Sequence, residues 1–293
     1  MLGAIIGDMV GVPYEFDNIK TKDFELFSDE TKFSDDTVLT CAVATALINA
    51  KDDSDVEIKK NVIEQLKYFG VRYINAGYGG RFKKWLLSEN TEPYNSWGNG
   101  SAMRVSSVGW FFDDIKTTRR VAVLTAAVTH NHPEGIKGAE AAASVIFLGR
   151  TGHSKEEIRE YVEKEFYKLD RSCDEIRSGY KFDVSCQGTV PVAIQAFLEG
   201  NNFEEVLRLS ISLGGDSDTL ACIACGMAEA YYGIPSWIIS EGLERLPEHL
   251  KKAINEFYTK LEWFHELSYK RGMLNYFDEY EYRRMLLQES EDE

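Results

Sequence analysis

Apolar residues recur along this chain at intervals of three and four, the period of helices with one buried face. In the segment 34–50, SDDTVLTCAVATALINA, they fall at Val38, Leu39, Ala42, Val43, Ala46 and Leu47. The segment 56–74 repeats the stripe with charges on the other face. The same period predicts helices over 117–130, 133–149, 154–169, 189–200, 203–214 and 246–267. Ser, Thr or Pro opens several of them and Gly closes several, as helix start and stop signals do. Alternation at period two is scarce, so the expected fold class is all-α. No Pro- or Ser-rich linker or shift in composition divides the chain, so a single compact multi-helix domain is expected over 1–293. Two stretches interrupt the pattern, DNIKTKDFELFSDETKF at 17–33 and ENTEPYNSWGNG at 89–100. Irregular segments of that length inside a compact helical domain are often functional. The tail QESEDE at 288–293 reads as a solvated acidic end.

Charge narrows the partners. Acids outnumber bases 48 to 33, a net charge of −15. So acidic a surface repels phosphate backbones and anionic lipids, so neither a nucleic-acid nor a membrane partner is expected. An anionic small substrate would need local cations to override the field. The N-terminal MLGAIIGDMVG is apolar but short, lacks a basic flank and is interrupted by Asp8, so it reads neither as a signal peptide nor as a membrane span. The five cysteines, Cys41, Cys173, Cys186, Cys222 and Cys225, are odd in number, which suits reduced thiols and a cytoplasmic location. CIAC at 222–225 has the spacing of a redox or zinc pair. With no second pair to complete a tetrahedral site, and on an alanine-rich helical pattern, the two thiols read as small core residues.

Two helix starts far apart in the chain match each other: FSDDTVLTCAVA at 33–44 and GDSDTLACIACG at 215–226. Each sets two acids ahead of Thr, an apolar residue and a run of small residues. Helix capping accounts for one acid at each start, because one carboxylate satisfies free N–H groups and suits the helix dipole. It does not account for two. Four aspartates brought together would raise one another's pKa values unless cations neutralised them. Oxygen donors without thiolates point to Mg²⁺ or Mn²⁺, and four carboxylates exceed what one such ion usually takes. Two divalent cations are therefore expected on Asp35, Asp36, Asp216 and Asp218, with the Ser34 and Thr219 hydroxyls as further oxygens.

Weaker signals lie elsewhere. SWGNGSAMR at 96–104 places Gly98 and Gly100 around Asn99 ahead of Ser101 and a helix start near Ala102, a candidate phosphate cradle. THNHPEG at 129–135 puts His130 and His132 at a helix boundary, where a polar turn with a capping role competes with function. Glu15 in GDMVGVPYEF reads on spacing alone as a surface acid.

Taken together, GDMVGVPYE, FSDDT, GNGSAMR, THNHPEG and LGGDSDTLACIACGMAEAYYG resemble, in order and approximate spacing, the motifs of the ADP-ribosylglycohydrolase family. The resemblance runs from residue 1 to about residue 235; beyond that the chain matches only as generic helix. It implies an all-α domain whose central cleft holds two metal ions, usually magnesium or manganese, and hydrolysis of the N- or O-glycosidic bond between ADP-ribose and an acceptor. On this chain it implies Ser34, Asp35 and Asp36 as one set of metal ligands and Asp216, Asp218 and Thr219 as the other. Family members often carry Thr where Ser34 stands, and Ser keeps the oxygen. Gly98, Asn99, Gly100, Ser101 and His130 fall where the family contacts diphosphate and ribose. Glu15 falls on a carboxylate that acts in some members as general acid or base; a metal-bound aspartate such as Asp36 is the other candidate. The implied partner is an ADP-ribosylated protein or a small ADP-ribose conjugate. Two alternatives stay open: a hydrolase of a free derivative such as O-acetyl-ADP-ribose, and a non-catalytic ADP-ribose binder or structural relative.

Overall fold

The three-to-four periodicity becomes fifteen α-helices over residues 1–261, the residues that the computed structural model describes. In chain order they are α1 (Leu2–Gly11), α2 (Asp35–Asn49), α3 (Asp55–Arg72), α4 (Gly80–Leu86), α5 (Gly100–Met103), α6 (Ser106–Phe111), α7 (Ile115–Ala127) and α8 (Pro133–Arg150). There follow α9 (Lys155–Glu165), α10 (Cys173–Arg177), α11 (Cys186–Glu199), α12 (Phe203–Ser212), α13 (Ser217–Tyr232), α14 (Ser236–Glu244) and α15 (Glu248–Lys260). No strand occurs among the described residues, only an isolated bridge between Gly98 and Ser185. The all-α expectation holds. No described helix is long and apolar enough to cross a membrane.

Most predicted helices appear within a few residues of their sequence bounds. The start of α11 shifts by three residues toward the N-terminus. The pattern placed it at Thr189, just ahead of Pro191, but the helix begins at Cys186 with the Ser185 side chain accepting from Gly188 N at 3.1 Å. Pro191 therefore sits inside the helix. The N–H it lacks would have paired with the carbonyl of Gln187, an exposed residue that water can serve, so the proline is tolerated there. The helix near Ala102 is one turn only, α5. Of the predicted 246–267 helix, residues 248–260 are helical, and 262–267 lie outside the described residues, as does the acidic tail at 288–293.

The centre of the fold is the pairing of α1 with α13. All ten residues of α1 are buried, as are all of α13 up to Ala230. Gly3, Gly7 and Gly11 recur every four residues along one face of α1. A Cβ on Gly7 would come within 2.5 Å of the Ala221 carbonyl carbon, and one on Gly11 within 2.8 Å of Asp218 N. The glycine stripe on α1 and the alanine- and cysteine-rich face of α13 thus let two backbones touch. All five cysteines are buried and free, including the 222–225 pair. Neighbouring helices also cap one another: Glu229 of α13 accepts from Gly3 N at 2.8 Å, at the start of α1. Such caps satisfy N–H groups that a helix start cannot pair by itself.

Candidate active site

The first acid pair is set by the start of α2. Ser34 is the N-cap, in extended conformation, and its hydroxyl accepts from Asp36 N at 3.2 Å. The same hydroxyl donates to Asp8 Oδ1 at 2.6 Å, and Ser34 N donates to Asp8 Oδ2 at 2.9 Å. Thr37 N and Thr37 Oγ1 donate to Asp8 Oδ2 at 3.1 and 2.5 Å. Four donors therefore bracket Asp35 and Asp36 and end on one carboxylate of α1. Asp36 Oδ1 accepts from Thr219 Oγ1 at 3.3 Å, while the buried Asp36 Oδ2 has no partner among the described residues.

The second pair depends on two left-handed glycines, Gly214 at φ 68° and Gly215 at φ 75°, a conformation that side-chain-bearing residues rarely adopt. They turn the chain into α13 so that Asp216 stands at its N-cap and Asp218 in its first turn. Asn99 Nδ2 donates to Asp216 Oδ2 at 2.5 Å, and Thr219 N donates to Asp218 Oδ1 at 2.9 Å. Carboxylate oxygens of Asp8, Asp36 and Asp218 lie within 4.8 Å of one another, and so do those of Glu15, Asp216 and Asp218.

This crowding shows in the protonation of the group. Burial, then the Asp218 charge, pushes Asp36 well above the usual carboxylate range. Burial, then Asp216, does the same to Asp218. Burial with the nearby Asp8 charge takes Asp35 up to about 8, and burial with Asp216 and Asp8 takes Glu15 up to about 7. Asp216 and Asp8 are also raised by burial, opposed by the hydrogen bonds that they accept. A divalent cation would relieve the repulsion. The donor set is oxygen only, and Asp36 Oδ2 is an orphaned buried acceptor, so these residues fit a hard divalent ion.

A cavity of about 380 Å³ opens onto the acids. Glu15, Asp35, Asp36, Asp216, Asp218 and Thr219 line it, and so do Gly98, Asn99, Gly100 and His130. Of the residues expected from sequence, Ser34 and Ser101 are absent from the lining. The Ser34 hydroxyl is engaged by Asp8, and the fully buried Ser101 hydroxyl donates to the Gly135 carbonyl at 2.6 Å. The two histidines divide their roles. His132 caps α8 by accepting from Glu134 N at 3.1 Å. His130 is buried, shares a 2.7 Å hydrogen bond with the Thr129 hydroxyl, and is held neutral by burial and by the Arg104 and Arg81 charges. A Cβ on Gly100 would lie 3.2 Å from His130 Nε2, so glycine there leaves the imidazole room.

Four features escaped sequence reasoning. Asp8 was read only as an interruption of an apolar run, although a lone carboxylate in such a run is itself a sign of a buried, partnered charge. Gly77, Gly79 and Gly80 also line the cavity, and nothing lies within 4 Å of a Cβ on Gly79 or Gly80. Arg81 lines it too, its guanidinium 5.0 Å over the ring of Tyr94. Arg104 is fully buried, its Nη2 donating to Thr125 O at 2.9 Å and Thr129 Oγ1 at 2.8 Å, while Nε and Nη1 have no partner among the described residues. Apart from Asp8, none of these has a distinctive local pattern.

Known proteins resemble this chain along most of its length. The family model described as ADP-ribosylglycohydrolase matches residues 1–272. Human ADP-ribosylhydrolase ARH3 is 25% identical, over 89% of this chain and 93% of its own. The ADP-ribosylarginine hydrolase Tri1 of Pseudomonas putida is 26% identical, over 91% of this chain and 79% of its own. A solved structure of an ADP-ribosylglycohydrolase-related protein complex has the same fold, with a TM-score of 0.60 at 20% identity over 89% of this chain and 95% of that one.

Proposed function

The chain belongs to the ADP-ribosylglycohydrolase family, and on that premise we propose that it cleaves the glycosidic bond between ADP-ribose and an acceptor side chain of a protein, releasing ADP-ribose. One observation carries the reading: both aspartate pairs, Glu15, the Gly98–Gly100 loop and a neutral His130 share one cavity. Acids that can hold cations, beside a glycine loop, suit a ligand with a ribose at one end and a diphosphate next to it.

In this reading Asp35, Asp36, Asp216 and Asp218, with the Thr219 hydroxyl, would hold two divalent cations, Mg²⁺ or Mn²⁺, while Ser34, its hydroxyl engaged by Asp8, braces the start of α2 instead of binding metal. Bound there, such cations supply charge neutralisation and Lewis acidity beside the ribose. Glu15 is the acid–base. A carboxyl pushed up to about 7 holds a proton near neutral pH and can release it. It protonates the departing acceptor atom as the bond to the anomeric carbon breaks. A water oxygen then bonds that carbon and its proton returns to the carboxylate. Asp36, whose Oδ2 has no partner among the described residues, is the second candidate for this work. Gly98, Asn99, Gly100 and His130 take the diphosphate and its ribose; Ser101, buried behind them with its hydroxyl on the Gly135 carbonyl, holds the loop and does not touch the ligand. Arg81 and Arg104 set positive charge beside an anionic ligand in a chain of net charge −15.

The test is a side-by-side assay with Mg²⁺ or Mn²⁺ on arginine-linked, serine-linked and O-acetyl conjugates, reading free ADP-ribose by chromatography. Release from at least one protein linkage, abolished by EDTA, is expected. Release from O-acetyl-ADP-ribose alone would move the reading to a small conjugate. Binding of ADP-ribose with no release from any conjugate would make the chain a binder.

A further inference from the structure

We infer that Asn18, a residue of the irregular 17–33 stretch, is a positioning residue that holds Glu15 against the turn carrying Asp216. Glu15 follows the single 3₁₀ turn Val12–Tyr14 at the end of α1. Past it the chain leaves regular structure: Phe16 is 84% exposed, and the next helix starts at Asp35. The local backbone holds Glu15 by one bond, from its N–H to the Val12 carbonyl at 3.3 Å, and no regular element continues beyond it.

The Asn18 carboxamide adds the tie that this turn lacks, to the segment ahead of Asp216. Its Nδ2 donates to the Tyr14 carbonyl at 2.7 Å, the Glu15 carbonyl at 2.9 Å and the Gly215 carbonyl at 3.0 Å. Its Oδ1 accepts from Gly215 N at 2.7 Å. One side chain thus pairs with both polar groups of Gly215, as a neighbouring strand would, and ties the Glu15 carbonyl to the same place. Gly215 directly precedes Asp216. Two further side chains brace the junction. Lys20 Nζ donates to the Leu213 carbonyl and, at 3.0 Å, to the Tyr180 carbonyl, and Ser217 Oγ donates to the Tyr14 carbonyl at 3.1 Å. The side chain in the middle has to donate and accept in one plane, which an amide does and a carboxylate or hydroxyl of similar reach does not. Asn18 is itself exposed, so its bonds hold the site rather than fill the core.

The inference rests on Glu15 acting in hydrolysis, and its test separates the two. Asn18→Ala removes both halves of the tie. Asn18→Asp keeps the acceptor for Gly215 N but sets an oxygen against three carbonyls. Both variants should melt within a few degrees of the parent. On whichever conjugate the parent cleaves, kcat should fall by on the order of 10- to 100-fold with KM within about twofold, Asn18→Asp at least as far as Asn18→Ala. Because Asn18 acts through Glu15, adding Asn18→Ala to Glu15→Gln should cost no further activity. Parent-like kcat in Asn18→Ala, full additivity with Glu15→Gln, or full activity in Glu15→Gln alone would each overturn the inference. Hydrogen exchange needs no substrate: Asn18→Ala should speed exchange of the Gly215 amide and leave α13 beyond its first turn protected. Unchanged exchange at Gly215 overturns the tie even if the parent cleaves nothing. Faster exchange in a protein without hydrolase activity leaves the tie standing and removes the proposed function.

Discussion

The Thr219 hydroxyl donates to Asp36 Oδ1 at 3.3 Å, joining the starts of two helices through residues 183 apart in the chain. The two motifs match in sequence, yet their threonines serve different partners. Thr37 turns its hydroxyl and its N–H to Asp8 on α1, whereas Thr219 reaches across to the other acid pair. The first motif is held from behind and the second bridges the cavity, so a substitution in one is not equivalent to its counterpart in the other.

Asp218 belongs to both carboxylate groups, so Asp218→Ala should disable the whole centre. Calorimetry with Mn²⁺ should show affinity lower by more than about 100-fold, with activity lost alongside. The cation-free variant should melt higher than the cation-free parent, because one of several repelling buried charges is gone. Parent-like Mn²⁺ affinity would remove Asp218 from the ligands.

The protonation of the site predicts a pH dependence with a definite sign. Asp35 is raised to about 8 and Glu15 to about 7 in the folded chain, from ordinary values of 3.8 and 4.5. The folded state therefore keeps protons that the unfolded state releases. The associated stability is present at pH values below the ordinary range and is lost as pH rises through about 7 to 8. In EDTA, the melting temperature should fall between pH 5 and pH 8. Mn²⁺ should restore it, and more at pH 8 than at pH 5, because cations compete with protons for the same oxygens. A flat cation-free profile over that window would contradict the crowding of the acids.

Asp8 should matter to stability first and to catalysis second. Asp8→Ala strands two backbone N–H groups and two hydroxyls at the start of α2. We expect a loss of about 2–4 kcal/mol in urea denaturation, from unsatisfied buried donors and a lost cap, together with weaker Mn²⁺ binding. A loss below about 1 kcal/mol would mean that water or Asp36 replaces the carboxylate.

Two glycine substitutions should separate packing from the cavity. Gly7→Ala drives a methyl to within 2.5 Å of the Ala221 carbonyl carbon and 2.8 Å of Cys222 N, so α1 and α13 must part, at about 1–3 kcal/mol. Gly79→Ala meets nothing within 4 Å and keeps a φ of −56° that alanine accepts, so its stability should stay within about 0.5 kcal/mol of the parent. Because Gly79 lines the cavity, any effect of Gly79→Ala should be on KM. A large stability loss in Gly79→Ala, or none in Gly7→Ala, would contradict the packing described.

Some of this was legible in the chain itself. Helical period, Ser caps and closing glycines are local properties, and they located α2, α3, α8, α9 and α12 to within a few residues. Paired acids followed by Thr can be seen in sequence because each pair sits at one helix start. Tertiary structure alone decided which groups those acids meet. Asp8 reaches α2 only because a glycine stripe brings α1 down onto α13, and no property of residues 1–11 announces a bond to Thr37. Asn18 is one polar residue in an irregular stretch until the fold brings Gly215 beside it. The hydroxyls of Ser34 and Ser101 had the right chemistry for a site, but the packed neighbours Asp8 and Gly135 engage them first. The physical reason is range. Capping and periodicity act within a turn or two of helix, while a carboxylate's partners are chosen by contacts between segments far apart in the chain, 226 residues in the case of Glu229 and Gly3, and those contacts exist only once the helices have packed.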